Sequence, residues 1–305
     1  MWVCFRDGGI LGGWLIAPGP ASRELGEEVA KRLGLDVLDL ELTVFPDGES
    51  KLRVKSDVQR ASVVVIQSTY PPVDRNLMQL LFIAHKLSEL GAEVYAFVPY
   101  LAYARQDKEF LKGEVVSIAV VARLMRAAGI KRLDTVDIHS VSALAYFAFP
   151  AHSISAVPLL AEYMRSNYRL KDPIIVSPDA GGAARAEAFA NLMKAEHIVL
   201  KKSRDRVTGE VSVEEAEISV ERRDAVLVDD IISTGGSIEK AATLLYKKGA
   251  RKVYAACTHP LLVGDALDRL VKAGVEVIGT NTVPSKVSKV DIAPLCASHL
   301  STICT

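Results

Sequence analysis

Ala-Val-Leu-Val-Asp-Asp-Ile-Ile-Ser-Thr-Gly-Gly-Ser-Ile-Glu-Lys, from Ala225 to Lys240, is the stretch from which the rest of the chain is read. Four apolar residues, Ala225 to Val228, run into Asp229 and Asp230, as a strand buried on both faces of a parallel sheet does at its carboxyl edge. That edge is where open α/β sheets bind ligands. Ser233, Thr234, Gly235, Gly236 and Ser237 then open a helix over Ile238 to Lys248, with Ala241, Leu244 and Leu245 on its apolar side. Hydroxyls and glycines at a helix start offer backbone N–H groups to a phosphate, with the positive end of the dipole behind them. An ionised carboxylate only accepts hydrogen bonds, so Asp229 and Asp230 match two neighbouring hydroxyls, as on ribose. The loop can thus hold a sugar phosphate by both ends; a plain turn with a helix cap is the other use of the same residues.

Upstream, Ile174 to Ser177 reads as a strand, followed by Pro178, Asp179, Ala180, Gly181, Gly182 and a helix over Ala183 to Met193. Small residues let an anion approach the backbone, and Asp179 stands where a divalent cation bound to that anion can be held. Two such strand-to-helix loops in one domain suggest two anionic groups. After a strand at His197 to Leu200, the segment Lys201 to Glu210 is too polar to pack, and Thr208-Gly209 followed by Val211, Val213 and Ile218 predicts a projecting hairpin. Charge runs of this kind are commonly solvated faces. A mobile arm carrying Lys202 and Arg204 can also bring cations to a transferring phosphate once substrate is bound.

The first half follows the same βα alternation. Strands are expected at Trp14 to Ala17, Ser62 to Gln67, Glu93 to Val98 and Arg132 to Ile138. Helices are expected at Ser22 to Leu33, with Ser22 as its cap, at Asn76 to Leu90 and at Glu114 to Ala128. Leu42 to Phe45 and Lys51 to Val54 form the arms of a hairpin around Pro46-Asp47-Gly48-Glu49-Ser50, whose turn chemistry is sufficient reason for those residues. Tyr100 and Tyr103 beside Arg105, Gln106 and Asp107 can stack on a purine, with the guanidinium on phosphate; a solvated loop is the alternative. Asp137 and His139 would share one face of their strand, where the imidazole can reach a ligand or a metal.

The fold class expected is α/β: two similar doubly wound domains with mainly parallel sheets, plus a flap hairpin. Residues 1–13 form an extension, 14–155 the first domain and 156–305 the second, with Pro150 to Pro158 as the connection and Cys296 to Thr305 closing the second domain. A length of 305 residues suits two such domains. Lys plus Arg equals Asp plus Glu at 37 each, so the overall field makes no case for nucleic acid or an anionic membrane. Any anion site must be built locally. Cys4, Cys257, Cys296 and Cys304 have no zinc-type spacing, no apolar run reaches the roughly 18 residues of a membrane span, and a reduced cytoplasmic setting is the expectation.

Val228 to Ser237 resembles the phosphoribosyl-diphosphate loop of type I phosphoribosyltransferases and of the ribose-phosphate diphosphokinases. The remaining motifs, spread over nearly all of Trp14 to Thr282, resemble the diphosphokinase family, with short variable regions like those of its archaeal members. The resemblance implies ATP binding by Phe45, Asp47, Glu49, Arg105, Gln106 and Asp107. It implies metal binding by His139 and Asp179, with Mg²⁺ as cofactor, and a pyrophosphate loop at Asp179, Ala180, Gly181 and Gly182. It makes Lys202 and Arg204 catalytic, and assigns ribose 5-phosphate to Asp229, Asp230 and Ser233 to Ser237. Lys202 rather than Lys201 has the Lys-x-Arg spacing. The implied reaction is attack by the 1-hydroxyl of ribose 5-phosphate on the β-phosphorus of MgATP, with AMP leaving.

The resemblance also implies a homodimer or homohexamer, in which Asp47 and Glu49 would need to reach a neighbouring subunit's site. Longer members carry a Gln-rich stretch after the metal histidine where Ser140 to Phe149 stands here, so the resemblance leaves control by ADP and phosphate open. A phosphoribosyltransferase, or a non-catalytic relative, would share the loop; neither needs the ATP motifs and the Lys-x-Arg together.

Overall fold

The computed structural model describes residues 13–304 apart from 201, 205–210 and 214–218, and describes 202–204 and 211–213 by their backbone alone. The chain forms two compact units, one running to Ile154 and taking in Ile292 onward, the other Ser155–Asp291.

The first unit contains β1 (Trp14–Pro18), α1 (Arg23–Leu33), β2 (Asp36–Val37), β3 (Leu40–Val44), β4 (Ser50–Val54), β5 (Ser62–Ile66), α2 (Val73–Glu89), β6 (Glu93–Val98), α3 (Ser117–Ala127), β7 (Ile130–Val136) and β8 (Ala151–Ile154). Six of its strands form one parallel sheet in the order β2-β1-β5-β6-β7-β8. The run Val63 to Ile66 is fully buried, as a strand covered on both faces requires. Leu77, Leu80, Leu81, Ala84 and Leu87 recur at helical spacing and bury one side of α2 against that sheet. The hairpin β3–β4 stands apart as an antiparallel pair, as its turn chemistry predicts.

The second unit contains α4 (Val157–Asn167), β9 (Ile174–Ser177), α5 (Ala183–Met193), β10 (Glu196–Val199), β11 (Lys202–Arg204), β12 (Val211–Val213), β13 (Asp224–Ile232), α6 (Gly236–Lys247), β14 (Lys252–Pro260), α7 (Ala266–Lys272), β15 (Val275–Thr280) and β16 (Ser288–Val290), and is followed by α8 (Ala293–Ser301). Its parallel sheet has the order β10-β9-β13-β14-β15-β16, the same sequence of jumps as the first. The expected doubly wound pair of domains is present. The antiparallel pair β11–β12 matches Lys202 to Val213 and Arg204 to Val211, the expected flap hairpin.

Four expectations change. Pro150 to Pro158 is not a plain connection, because β8 pairs with β7 and completes the first sheet. The chain after Cys296 does not close the second domain: α8 belongs to the first unit, packs on α1, and His299 Nε2 lies 2.8 Å from Asp134 Oδ1 on β7. Ser22 sits at the N-cap position of α1 without capping it, since its hydroxyl accepts the Ser68 amide instead at 2.9 Å. Finally, β7 ends at Val136, before Asp137. Among the described residues no helix is long and apolar enough to cross a membrane.

Candidate functional site

In the second unit the chain steps from β9 outward to β10 and then crosses to β13 on the other side of β9. Strand order therefore reverses between β9 and β13, and ligands of open α/β sheets bind at the carboxyl ends of strands at such a switch point. Both glycine loops lie there, one after Ser177 and one after Ile232.

β13 does not stop at Val228. Ile231 and Ile232 continue the pairing with His259 and Pro260 of β14, so Asp229 and Asp230 lie within the strand rather than beyond it. The consequence is electrostatic. Asp230 is buried and Asp229 nearly so, and the Arg185 guanidinium from α5 stands 3.3 Å from Asp230 Oδ1 and 3.6 Å from Asp229 Oδ1. Burial pushes the Asp229 carboxyl up to about 8, helped by a hydrogen bond to Asp230 and its charge, and opposed by Arg185. Two carboxylates this close share a proton more readily than they ionise together. Arg185 is the counter-charge that sequence reasoning left unassigned. Its position two residues into the helix after the Asp179 loop was the available signal.

The loop after β13 brings Ser233 to Ser237 into one turn. Gly235 precedes the helix at φ 76°, in the left-handed region that glycine tolerates, and a side chain there would meet Leu270 of α7 at 3.2 Å. Ser237 and Gly236 stand in the first turn of α6, where N–H groups have no intrahelical partner. The other loop is already internally satisfied: Asp179 Oδ1 accepts the amides of Gly181 at 3.0 Å and Gly182 at 3.3 Å, while Ser177 Oγ donates to the Asp179 carbonyl at 2.6 Å. Asp179 therefore caps the amides at Gly181 and Gly182, and a bound pyrophosphate would compete with it for them.

In the first unit, Phe45 to Glu49 form the exposed tip of β3–β4. Phe45 donates its N–H to the Glu49 carbonyl at 2.8 Å, and Asp47 Oδ1 accepts the Glu49 amide at 3.1 Å. Phe45 itself is 43% exposed, a large apolar side chain left open to solvent at the tip. Arg105, Gln106 and Asp107 follow β6, and Asp107 Oδ2 accepts from Ser140 Oγ at 2.5 Å and Ser142 Oγ at 3.0 Å. These hydroxyls hold the Asp107 carboxyl below the usual range. The structure thus joins the Arg105–Asp107 loop to the segment carrying His139, which is exposed. Asp137 and His139 do not share a strand face, because Asp137 turns to φ 36° with its N–H on the Ile154 carbonyl at 2.8 Å. A non-glycine residue held there marks a bend that its surroundings impose. Of the two tyrosines, Tyr100 is buried in the core and Tyr103 donates its hydroxyl to Asp74, so Tyr100 is not placed to stack on a base.

Lys202 and Arg204 occupy β11, and their side chains lie outside the described set. Among the described residues no three His, Cys, Asp or Glu groups gather into a ready cage for a cation. Mg²⁺ takes one or two carboxylates together with substrate phosphates and water, and the Asp179 carboxylate suits that hard-oxygen demand. The imidazole of His139 is a softer donor.

Residues 14–129 match a family model described as the N-terminal domain of ribose phosphate pyrophosphokinase, and residues 145–288 match the phosphoribosyl transferase domain. A ribose-phosphate pyrophosphokinase of Methanothermobacter thermautotrophicus is 42% identical over 91% of this chain and 96% of its own length. One of Sulfurisphaera tokodaii is 36% identical over 94% and 100%. A crystal structure of phosphoribosylpyrophosphate synthetase from Mycobacterium smegmatis superposes with a TM-score of 0.87 at 32% identity, covering 95% of this chain and 98% of that one.

Proposed function

This chain belongs to the ribose-phosphate pyrophosphokinase family, and on that premise we propose how its residues divide the reaction. It is an enzyme that transfers the β,γ-diphosphoryl group of ATP to the 1-hydroxyl of ribose 5-phosphate, giving phosphoribosyl diphosphate and AMP. The observation that carries this reading over a phosphoribosyltransferase is the first unit. A transferase that consumes phosphoribosyl diphosphate has no use for an ATP site, whereas residues 14–129 match a pyrophosphokinase domain and carry Phe45–Glu49 and Arg105–Asp107.

Phosphoryl transfer is chiefly positioning and charge neutralisation. Asp229 and Asp230 accept hydrogen bonds from the ribose hydroxyls, and Ser233 to Ser237 bind the 5-phosphate. Arg185, 3.3 Å from Asp230 Oδ1 and 3.6 Å from Asp229 Oδ1, offsets part of the repulsion between the two carboxylates in the same small volume. Asp107, fixed by Ser140 and Ser142, gives the nucleotide loop a defined backbone beside Arg105 and Gln106. Lys202 and Arg204 neutralise the oxygens that gain charge as the diphosphoryl group moves. Mg²⁺, bound with the nucleotide, would neutralise phosphate charge, with Asp179 and His139 as its protein ligands. The exposed ring of Phe45 beside Asp47 and Glu49 supports a homodimer or hexamer in which this tip serves a neighbour.

Phosphorus NMR of the protein with ribose 5-phosphate, ATP and Mg²⁺ tests the whole reading. AMP and phosphoribosyl diphosphate are expected in a 1:1 ratio. Consumption of phosphoribosyl diphosphate only when a nitrogenous base is supplied would assign the chain to the transferases. Chelation of Mg²⁺ is expected to stop turnover, and His139→Ala to raise the Mg²⁺ needed for half-maximal rate by about tenfold; an unchanged Mg²⁺ titration removes His139 from the metal.

A further inference from the structure

The carbonyls of three consecutive residues, from the last of β13 into the loop after it, are held from one segment outside the site. Ile232 accepts the Leu262 amide at 2.9 Å and Ser233 the Val263 amide at 3.0 Å. Thr234, the third, accepts from a side chain: Arg269 Nη2 of α7 reaches its carbonyl at 2.6 Å. The same guanidinium pairs through Nη1 with Glu239 in the first turn of α6, and through Nε with Asp265 Oδ1 at 3.0 Å. Leu270, the next residue of α7, lies under Gly235.

The peptide group is planar and trans, so the N–H of Gly235 points opposite to the C=O of Thr234. Pinning that carbonyl on Arg269 therefore aims the Gly235 N–H away from α7. The second contact is electrostatic. Glu239 is a carboxylate at the helix start, where a dianionic phosphate is to bind, and like charges at such a distance repel; the guanidinium cancels it. Arg269 thus has a fork with three acceptors, which a lysine ammonium on a flexible stem does not reproduce.

We propose that Arg269 is a positioning residue for the 5-phosphate of ribose 5-phosphate, acting by orienting the Thr234–Gly235 peptide and by neutralising Glu239. It touches no substrate. The inference rests on the reading of Ser233 to Ser237 as the phosphate loop, so its test carries a control on that loop.

Steady-state kinetics of Arg269→Met, Arg269→Lys and Ser237→Asp, varying ribose 5-phosphate and ATP separately, separate the two. Ser237→Asp places a carboxylate in the loop at a helix position that tolerates acids. It is expected to raise KM for ribose 5-phosphate by at least about tenfold if the loop binds phosphate. Arg269→Met is expected to raise the same KM by about tenfold, as small misplacement of a binding group does, with KM for ATP and kcat within about twofold. Arg269→Lys, which keeps the charge and loses the fork, falls between. If Ser237→Asp raises that KM and Arg269→Met does not, the positioning role is wrong and the loop reading stands. If Arg269→Met depresses kcat and both KM values together, Arg269 is only structural and the proposal is again overturned. If Ser237→Asp leaves KM unchanged, the loop reading itself fails and takes this inference with it.

Discussion

Lys202→Ala is expected to lower kcat by about 100-fold or more, the scale on which loss of one donor to a charged transition state is felt, and to leave the melting temperature where it was. The second half of that expectation follows from the fold. Lys202 lies in β11, one strand of a two-stranded antiparallel ribbon separate from both six-stranded sheets. A lone two-stranded hairpin is marginally stable in water and contributes little to a domain's stability. Its residues are therefore poor candidates for a role in folding and good ones for a part that closes over substrate. Steady-state kinetics together with calorimetry decide the matter. A kcat within about twofold of the parent protein would remove Lys202 from the catalytic machinery; a large fall in melting temperature would give it a structural role instead.

Asp229→Asn should stabilise the ligand-free protein at alkaline pH and spoil it as an enzyme. Burial and Asp230 raise the Asp229 carboxyl to about 8 in the folded chain, against about 3.9 for an unperturbed aspartate. Between those values the folded state holds a proton that the unfolded state has released. Stability from this group is therefore greatest at low pH and declines as pH rises, by at most about 1.4 kcal/mol per unit for one proton, until the decline ends near pH 8. An asparagine has no proton to lose. Denaturant unfolding of the two proteins at pH 5, 6.5 and 8 should show the parent losing stability relative to Asp229→Asn across that interval. Parallel pH profiles would mean that Arg185 fully compensates the second charge. The cost is expected in binding, where loss of one ordinary hydrogen bond of about 0.5–1.5 kcal/mol would raise KM for ribose 5-phosphate by about 2- to 10-fold. A functional site that destabilises the empty fold is the expected trade.

What the sequence shows and what it hides divide along physical lines. Val63 to Ile66, Ala96 to Val98 and Ile174 to Val176 are legible as strand segments because burial on both faces leaves them apolar throughout. The apolar face of α2 is legible because its leucines recur at helical spacing. Ala151–Ile154 escapes because a short edge strand carrying His152 and Ser153 has no apolar run to announce it. The reach of β13 through Asp229 and Asp230 escapes because acids are read as strand ends, whereas here Arg185, distant along the chain, makes their burial tolerable. Arg185 contacts a strand and Arg269 a loop, each distant along the sequence, and no local pattern records that.

The return of the last helix to the first unit also bears on how the molecule is made. α8 packs on α1 and is tied to β7 through His299 and Asp134. A ribosome delivers residues 14–154 long before it delivers Ala293–Ser301. The earlier unit therefore leaves the exit tunnel without the piece that covers α1, and waits for a second unit to be synthesised in between. Termination near Ile292 would yield a protein whose motifs are all present and whose first-made half is unfinished.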